Sequence, residues 1–571
     1  MLNQTMLHWG NSYRALRALP WVVGLITAVA YVICTPGFDI FQMAWLWAIP
    51  MLLWSTTKPT WKSWLLVSFF AIWAAKIAIL IWLRHIYPPL GWIGLVLATA
   101  YFTLYPLAWL AFVRWLFPRT VGAAIHTRLV IQFGLAGAWV LLEWIQSWLF
   151  TGCPWVLMAD TQWQNPLMLS LCAWGGPWGL SFAIMLFNIG LARTIHRFVS
   201  ERPGEMKPAP GPLGIMRNLS PELYVGVIPV LLAFVLFFRA STHIRSNAET
   251  LFTMAAVQTD FDPNAKWDPE QFRQNANTVR TLTLTAAQLS KNHLVYDARD
   301  PQTAPRIDNI PATPPQLILW PEAALPFHVG ESNYDEFLTE IAKSTASTLL
   351  IGAVSRNELG YYNGIYSVTG EGVSPEFYAK RHLVPFGEYV PFAKILPLRK
   401  IVPVAEDSLV GERDFPLPVS IGSRVLLAGP LVCYEDIFPA MSREMALLGA
   451  DFIVVVTNDA WYGREAGAYQ HASHCAVMAA SLHLPVIRCG NNGWSGVFNP
   501  LGYQQSLKDA SGSVYFQGAG WFEVTGVSRH LRQPTFYMQH GDWMVTMSGF
   551  FTLWAYLRNR RWRRKKSAES V

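Results

Sequence analysis

A chain of 571 residues that is 52% hydrophobic and only 14% charged differs from soluble domains, in which about a quarter of residues are charged. Composition therefore indicates a membrane protein. The net charge of +7 is distributed unevenly, because residues 558–566 alone contain seven Lys and Arg side chains. That basic stretch directly follows an apolar segment, which favours a cytoplasmic anchor over a nucleic-acid-binding patch.

Eight apolar runs predict a bundle of about eight membrane-spanning helices. They lie at about residues 21–35, 40–54, 65–83, 92–116, 129–150, 167–191, 223–238 and 543–557. We therefore expect a membrane domain over residues 1–240 with seven spans and a soluble domain over 241–540. The last span and the basic tail occupy 541–571.

Loop charge predicts the orientation of these spans. The loops after runs one and five contain no Lys or Arg, whereas the alternate loops are basic, with Arg84 as the exception. The basic positions are Arg14, Arg17, Lys58, Lys62, Arg119, Arg193, Arg197, Arg202, Lys207 and Arg217. The positive-inside rule then places both termini in the cytoplasm and residues 240–540 outside.

One carboxylate, Glu143, falls inside the fifth run (WVLLEWIQSW). An intramembrane carboxylate is a functional candidate by default. We interpret Glu143 as a helix-packing hydrogen-bond acceptor near the outer interface, because the sequence shows no partner charge.

From residue 251 the pattern changes to short β-branched runs bounded by turn residues. They are LFTMAAVQ, QLILWPE, TLLIGAVS, GIYSVTG, RVLLAGPLVCYE, ADFIVVVTND, LPVIRCG, SGVFNP and GWFEVTGV. Helical patterns at Asn333–Ser344 and Gln470–Leu482 separate some of them. Strands alternating with helices predict an α/β domain with a buried sheet.

Three chemically capable residues adjoin strand-like runs. Glu322 follows LILW, Lys380 precedes RHLVPFGEYVP, and Cys433 follows VLLAGPLV. Singly, such residues are usually solvated edge or core positions. Together they supply a base for the thiol proton, a nucleophile, and an ammonium expected to lower the thiol pKa and stabilise an oxyanion. The set predicts acyl transfer through a thioester, with no metal and no diffusible cofactor.

The motifs WPE (320–322), KRHLVPFGEYVP (380–391) and CYE (433–435) occur in this order behind the predicted spans. With GCPW (152–155), KWDP (266–269), TNDAWYG and RCGNNG, the sequence resembles the apolipoprotein N-acyltransferase family, a membrane branch of the nitrilase superfamily. The resemblance implies an αββα sandwich for the external domain. It also implies Glu322 as general base, Lys380 as electrostatic stabiliser and Cys433 as nucleophile.

Further roles follow from the same resemblance. Glu388 and Glu435 are implied to be accessory active-site acids, and Trp267 to contact substrate on a mobile segment. The main-chain N–H of Tyr434, directly after the nucleophile, is a candidate oxyanion donor. The implied acyl donor is a membrane phospholipid, and the implied acceptor is the diacylglyceryl-Cys of an apolipoprotein. The implied location is the bacterial inner membrane, with the catalytic domain on the periplasmic side.

Some features depart from the family pattern. Met478 and Ser481 stand where members often carry Arg and Glu, and the proline-rich segment Asn292–Pro315 is longer than usual. Two other functions compete with acyl transfer. A membrane-tethered nitrilase-type hydrolase would use the same triad, and a transporter or scaffold would need none of it.

Overall fold

A computed structural model describes residues 2–200, 219–305 and 313–569, apart from positions 394, 396, 401 and 403–405. Arg202, Lys207, Arg217 and residues 306–312 of the proline-rich segment lie outside this description, as do the side chains of residues 2–17 and of the tail from 561. The chain forms two compact units. The helical unit contains Met1–Gln162, Gly175–Leu236 and Asp542–Val571, and the α/β unit contains Trp163–Trp174 and Phe237–Gly541.

Long apolar helices form the helical unit. The helices that lie in it, wholly or for most of their length, are α1 (Leu2–Ile33), α2 (Ile49–Thr56), α3 (Trp61–Ile79), α4 (Leu90–Leu116), α5 (Ile125–Gln146), α7 (Cys172–Ser200), α8 (Pro221–Asn247) and α14 (Trp543–Glu569). Within the described residues, five helices are long and apolar enough to cross a membrane: α3, α4 with its continuation to Thr120, α5, α7 and α8. Ala18–Ile33 of α1 is a shorter apolar helix.

The second predicted span does not form one membrane-length helix. It folds as a 3₁₀ turn, Phe41–Trp45, followed by the eight residues of α2. At about 1.5 Å per residue, eight residues span only about 12 Å. Trp47, at the break, is fully buried and stacks on Tyr31 with ring centroids 4.7 Å apart. Burial of this ring favours a compact turn over a continuous helix.

The last predicted span lies within α14, which packs closely against α5. A Cβ at Gly137 would lie 2.6 Å from the carbonyl oxygen of Ser548, and one at Gly134 would lie 2.3 Å from the Cβ of Ala555. The two glycines therefore allow the helix backbones to approach, as small residues do in membrane bundles.

Glu143 accepts a hydrogen bond from the main-chain N–H of Met158 at 2.7 Å, in agreement with a packing role. The structure adds a nearby charge that the sequence did not reveal. Lys76, in the last turn of α3, is buried and lines the same small cavity as Glu143. Its ammonium also lies 5.2 Å from the centre of the Tyr31 ring.

Two β-sheets form the centre of the α/β unit. The first has the strand order β2-β14-β1-β3-β5-β6-β7, with β4 paired to β5, and the second has the order β13-β12-β11-β10-β9-β8. The first-sheet strands are β1 (Ala248–Gln258), β2 (Val295–Asp297), β3 (Leu317–Leu319), β4 (His328–Val329), β5 (Thr348–Asn357), β6 (Gly360–Thr369), β7 (Gly372–Ala379) and β14 (Gly518–Val527). The second-sheet strands are β8 (Leu417–Ile421), β9 (Arg424–Val432), β10 (Phe452–Thr457), β11 (Val486–Gly490), β12 (Gly496–Phe498) and β13 (Gln504–Ser506).

Helices cover the outer face of each sheet. Those on the first sheet are α9 (Phe272–Ala286) and α10 (Ser332–Thr345), and those on the second are α11 (Pro439–Leu447) and α12 (Gly467–Leu482). The short helices α6 (Pro166–Leu169) and α13 (Phe536–His540) complete the unit. The sheets meet through pairs such as Phe252 and Phe452, with ring centroids 4.9 Å apart. The expected αββα sandwich is confirmed.

Candidate active site

Glu322, Lys380 and Cys433 each lie just beyond the carboxyl end of a strand. Lys380 directly follows β7, Cys433 directly follows β9, and Glu322 lies three residues after β3. All three are buried. The Lys380 Nζ atom lies 3.4 Å from Glu322 Oε1 and 2.9 Å from Glu388 Oε1. The site therefore holds one ammonium between two carboxylates.

The charge of Lys380 is maintained by these carboxylates. Burial alone would lower the pKa of Lys380, but Glu388 and Glu322 together raise it above its usual range. The main chain also fixes this residue, because its N–H donates to the carbonyl of Asn363 at 2.8 Å. Lys380 is therefore a permanent cation in a defined position.

Asn363, on β6, joins the two carboxylates. Its Nδ2 atom donates to Glu322 Oε1 at 2.7 Å and to Glu388 Oε1 at 3.3 Å. The other oxygen of Glu388 accepts from the main-chain N–H of Val384 at 2.8 Å. The geometry makes Glu388 a fixed partner of Lys380.

The turn that carries Glu322 is packed tightly on its neighbours. The main-chain N–H of Glu322 donates at 3.4 Å to the carbonyl of Thr457, which ends β10 in the other sheet. Ala323 adopts a φ of +43°, in the left-handed region, which a non-glycine residue occupies only when its surroundings enforce it. Lys266 Nζ donates to the Ala323 carbonyl at 2.7 Å, and Gly352 leaves no room for a side chain against Glu322 Cα.

Cys433 occupies a strained turn at the start of a 3₁₀ helix, Cys433–Ile437, with a φ of +51°. Lys380 lowers the thiol pKa as expected, but the net shift is in the opposite direction. Burial and the negative charge of Glu322 raise the pKa of Cys433 well above its usual range, and Lys380 only partly opposes them. These effects favour the thiol form, so a nucleophilic role for Cys433 would require a base to remove its proton.

Glu435 anchors this turn. Its carboxylate is fully buried and accepts main-chain hydrogen bonds from Val432 at 2.7 Å, Arg381 at 2.7 Å and His382 at 3.1 Å. The hydroxyl of Tyr378 donates to it at 3.1 Å. One carboxylate thus ties the nucleophile turn to the segment that follows Lys380. Because its carboxylate accepts four hydrogen bonds, Glu435 is placed to hold these segments together.

Tyr434 follows Cys433, the candidate nucleophile, and its side chain is buried. Its ring packs on Phe438 and His382, with centroid separations of 5.3 and 5.7 Å. These contacts hold the residue whose main-chain N–H is the candidate oxyanion donor.

Comparisons with known proteins cover both units. Residues 27–190 match the model of the apolipoprotein N-acyltransferase N-terminal domain, and residues 253–523 match the carbon–nitrogen hydrolase model. An apolipoprotein N-acyltransferase of Azotobacter vinelandii is 30% identical over 72% of this chain and 70% of its own length. The chain belongs to the apolipoprotein N-acyltransferase family. A relative of the same name from Geobacter metallireducens is 29% identical over 93% of this chain and 95% of its own.

The protein is therefore a membrane enzyme of the N-acyltransferase class. Among solved structures, an amidase from Nesterenkonia sp. aligns with 51% of this chain and 93% of its own, at 18% identity and a TM-score of 0.32.

A buried ionic network lies beneath the nucleophile turn of the acyltransferase. His471 on α12 contacts Asp436 at 2.7 Å and Asp459 at 2.8 Å, and Arg488 on β11 pairs with both aspartates. Although burial opposes it, the charges of His471 and Arg488 lower the pKa of Asp436. Because Asp436 belongs to the 3₁₀ helix that begins at Cys433, the network fixes the base of that turn.

The two departures from the family pattern fall on α12. Met478 and Ser481 are both buried, and Ser481 Oγ donates to the carbonyl of Val477 at 2.6 Å. The same helix contributes His471 to the ionic network, so it retains a charged contact beneath the site.

Trp267 lies outside the hydrogen-bonded cluster, with 46% of its surface exposed. The adjacent Lys266 is buried, and its ammonium lies 5.5 Å from the centre of the Trp267 ring. Burial lowers the pKa of Lys266 to about 8, and the charge of Glu322 opposes this. Because the buried Lys266 donates to the carbonyl of Ala323, the segment 265–267 lies next to the turn that carries Glu322, with Trp267 exposed beside it.

Sequence reasoning missed Asn363, Gly352 and the positioning contact of Lys266. Asn363 lies in YYNGIYS, where a polar residue interrupts an apolar strand. Gly352 interrupts TLLIGAVS in the same way. Such interruptions of otherwise regular strands were the available signal.

Proposed function

We propose that this enzyme transfers an acyl chain from a membrane phospholipid to the N-terminal amino group of the diacylglyceryl-Cys of an apolipoprotein. The reaction proceeds through a thioester on Cys433. Support comes from family membership together with the ammonium of Lys380 held between Glu322 and Glu388 beside a strained cysteine turn.

In the first half-reaction, Glu322 takes the thiol proton and the sulfur of Cys433 attacks the ester carbonyl of the donor. Lys380 and the main-chain N–H of Tyr434 stabilise the resulting oxyanion. Collapse of this intermediate breaks the ester C–O bond, and the leaving alkoxide takes the proton from Glu322. A lysophospholipid departs and the acyl group remains on sulfur.

In the second half-reaction, the neutral amine of the acceptor attacks the thioester carbonyl. Glu322 accepts a proton from the attacking nitrogen, and the C–S bond breaks to restore Cys433 once the proton returns to sulfur. An amide forms, so the acyl group is not released to water. We propose Trp267 as a substrate contact that serves this step.

Hydrolysis is the second candidate, since the same three residues could direct water at the thioester. The match of residues 27–190 to the acyltransferase N-terminal domain favours transfer. Family membership implies a location in the bacterial inner membrane, and loop charge supports an orientation with residues 240–540 on the periplasmic side. A reporter fused after Lys566 should then read cytoplasmic, and one inserted after Thr303 should read periplasmic.

The decisive experiment is intact-protein mass spectrometry of the detergent-solubilised enzyme with phospholipid, before and after a diacylglyceryl peptide is added. We expect an acyl adduct on Cys433 that disappears as acylated peptide forms. Cys433→Ser should give no productive adduct, because burial and the higher pKa of an alcohol leave no usable nucleophile. Cys489→Ser is the matched control, since Cys489 Sγ donates to the Val257 carbonyl at 3.2 Å and a hydroxyl can replace it.

Two results would separate the alternatives. Loss of the adduct with release of free fatty acid, at the same rate with or without peptide, would identify a hydrolase. Absence of any adduct from the folded wild-type enzyme would refute the thioester mechanism. Trp267→Ala should still form the adduct but transfer it slowly to the peptide, and normal transfer would remove this residue from the acceptor site.

A further inference from the structure

A basic cavity of about 840 Å³ lies within the helical unit. It is bounded by the turn before α3, by the end of α4 and the loop into α5, and by α14. These segments carry three of the basic clusters that loop charge assigns to one side of the membrane. The structure brings them together around one volume, which falls in the range of about 300–1,000 Å³ typical of ligand sites.

Positive charge dominates the lining of the basic cavity. Lys58, Arg114, Arg119 and Arg558 contribute to it, and within the part of the chain that the structure describes no acidic side chain does. Arg114 is fixed by the carbonyl of Pro59, to which its Nε donates at 2.9 Å. The described lining of the basic cavity is therefore positively charged.

Aromatic contacts orient two of these cations. The Arg114 guanidinium lies 5.3 Å from the centre of the Trp61 ring, and that of Arg119 lies 5.3 Å from the Trp115 ring. Arg558 donates through Nε to the hydroxyl of Thr127 at 3.2 Å. Such contacts restrict the side chains before any ligand arrives, which reduces the entropy lost on binding.

Asn559 provides an independent indication of a ligand. This side chain lines the basic cavity and is only 6% exposed, yet neither its Nδ2 nor its Oδ1 atom has a hydrogen-bond partner among the described residues. A buried polar atom left unsatisfied costs about 1–3 kcal/mol. A ligand carrying both acceptor and donor oxygens would satisfy the amide.

The start of α5 adds a third feature. The N-cap residue Ala124 offers no side-chain acceptor, and Ala124, His126 and Thr127 line the basic cavity. The first N–H groups of a helix and its dipole favour an anion at this end. The positively charged lining and the N-terminus of α5 thus both favour an anionic ligand.

We propose that the basic cavity binds the phosphate-bearing headgroup of an anionic phospholipid. A lipid fits better than a free anion because α4 and α5 are membrane-length helices and the lining also includes apolar side chains such as Val121, Val130 and Ile131. Basic pockets between membrane helices on the positively charged side recognise anionic headgroups in this way. The site is independent of the Cys433 chemistry, since every lining residue belongs to the helical unit.

The test is native mass spectrometry of the full-length enzyme in detergent, titrated separately with ether-linked phosphatidylglycerol, ether-linked phosphatidylethanolamine and inorganic phosphate. Ether linkages prevent turnover at Cys433. We expect preferential retention of phosphatidylglycerol. Arg119→Gln and Arg558→Gln should each weaken it about fivefold, and their combination about 25-fold.

Two further variants distinguish a built site from diffuse attraction. Lys62→Gln removes an exposed charge from the start of α3 that does not line the cavity, and it should leave binding unchanged. Asn559→Leu should weaken phosphatidylglycerol binding without lowering the thermal midpoint of the lipid-free enzyme, because it removes unsatisfied buried atoms. This pair keeps the test valid if an arginine variant folds poorly.

Equal affinity for the two lipids, or undiminished binding by the double arginine variant, would overturn the proposal. Displacement of phosphatidylglycerol by inorganic phosphate at similar concentration would identify a free-anion site and would equally refute a lipid site. If Lys62→Gln weakened phosphatidylglycerol binding as much as Arg119→Gln does, general surface charge would account for the binding and the proposed site would be refuted.

Discussion

Replacing Glu435 by Gln tests whether this carboxylate acts as an acid or as an anchor. Its Oε1 atom accepts from the main chain of Arg381 and His382 and from the Tyr378 hydroxyl, and its Oε2 atom accepts from Val432. Glutamine can keep only one oxygen. Whichever way the amide is oriented, an NH₂ group meets at least one buried N–H donor.

The cost follows from this arrangement. With the amide oxygen at the Oε1 position, the buried Val432 N–H loses its acceptor, which costs about 1–3 kcal/mol. The other three bonds lose their charge assistance, which makes up roughly half the strength of such bonds. We expect these losses to total about 3 kcal/mol of stabilisation of the turn that holds Cys433. If the activation free energy rises by the same amount, thioester formation slows roughly 100-fold. The pH dependence should be unchanged, because no proton passes through an anchor.

The assay is the time course of acyl adduct on Cys433, followed by intact mass across a pH series. Tyr378→Phe is the graded control, since it removes one donor of the four and should cost about fivefold or less. A Glu435→Gln enzyme that acylates at the wild-type rate would refute the anchor. A variant whose pH profile loses one limb would instead establish Glu435 as a proton-transfer group.

Three further outcomes follow from the site. Lys266→Met should slow thioester formation about 10–100-fold, by leaving the buried carbonyl after Glu322 without its donor, and Lys266→Arg should recover part of the rate in the same mass assay. Gly352→Ala should inactivate the enzyme, since its Cβ would lie 2.6 Å from Glu322 Cα, whereas Gly94→Ala has nothing within 4 Å and should retain activity and thermal midpoint. The rate at which iodoacetamide labels Cys433 should keep rising above about pH 9, because burial raises the thiol pKa above the ordinary value near 8.5. A labelling rate that reaches its plateau below about pH 9 would contradict this raised pKa.

Glu322 and Cys433 were predictable because strand-ending polar residues stand out against apolar runs, whereas Lys380 was selected through the motif KRHLVPFGEYVP. The nine predicted strands all occur, at β1, β3, β5, β6, β9, β10, β11, β12 and β14. The strand before Lys380 was missed, since β7 (GVSPEFYA) is largely solvent-facing and contains Pro375. A half-exposed edge strand carries too little hydrophobic periodicity to be recognised from sequence.

Contacts between distant segments were beyond sequence reasoning. Lys76 and Glu143 are 67 positions apart on different helices, and neither carries a sign of the other. The second predicted span failed for a related reason: its apolar content is real, but Trp47 is buried by packing against aromatic rings of other helices. High hydropathy predicts that a segment is removed from water, but it does not tell whether lipid or the rest of the protein surrounds that segment.

The position of Lys380 suggests a separate role for each of the two carboxylates beside it. Its Nζ atom is closer to Glu388 than to Glu322, at 2.9 against 3.4 Å. If Glu322 accepts the thiol proton, as we propose, it becomes neutral, and Glu388 would then hold the ammonium in place while the thiolate takes over the lost negative charge. The transfer leaves the net charge of the cluster unchanged, and this matters because an uncompensated unit charge 4 Å from another is worth about 4 kcal/mol at an effective dielectric near 20. We therefore expect loss of the Glu388 carboxylate to slow thioester formation, although in this scheme Glu388 accepts no proton itself.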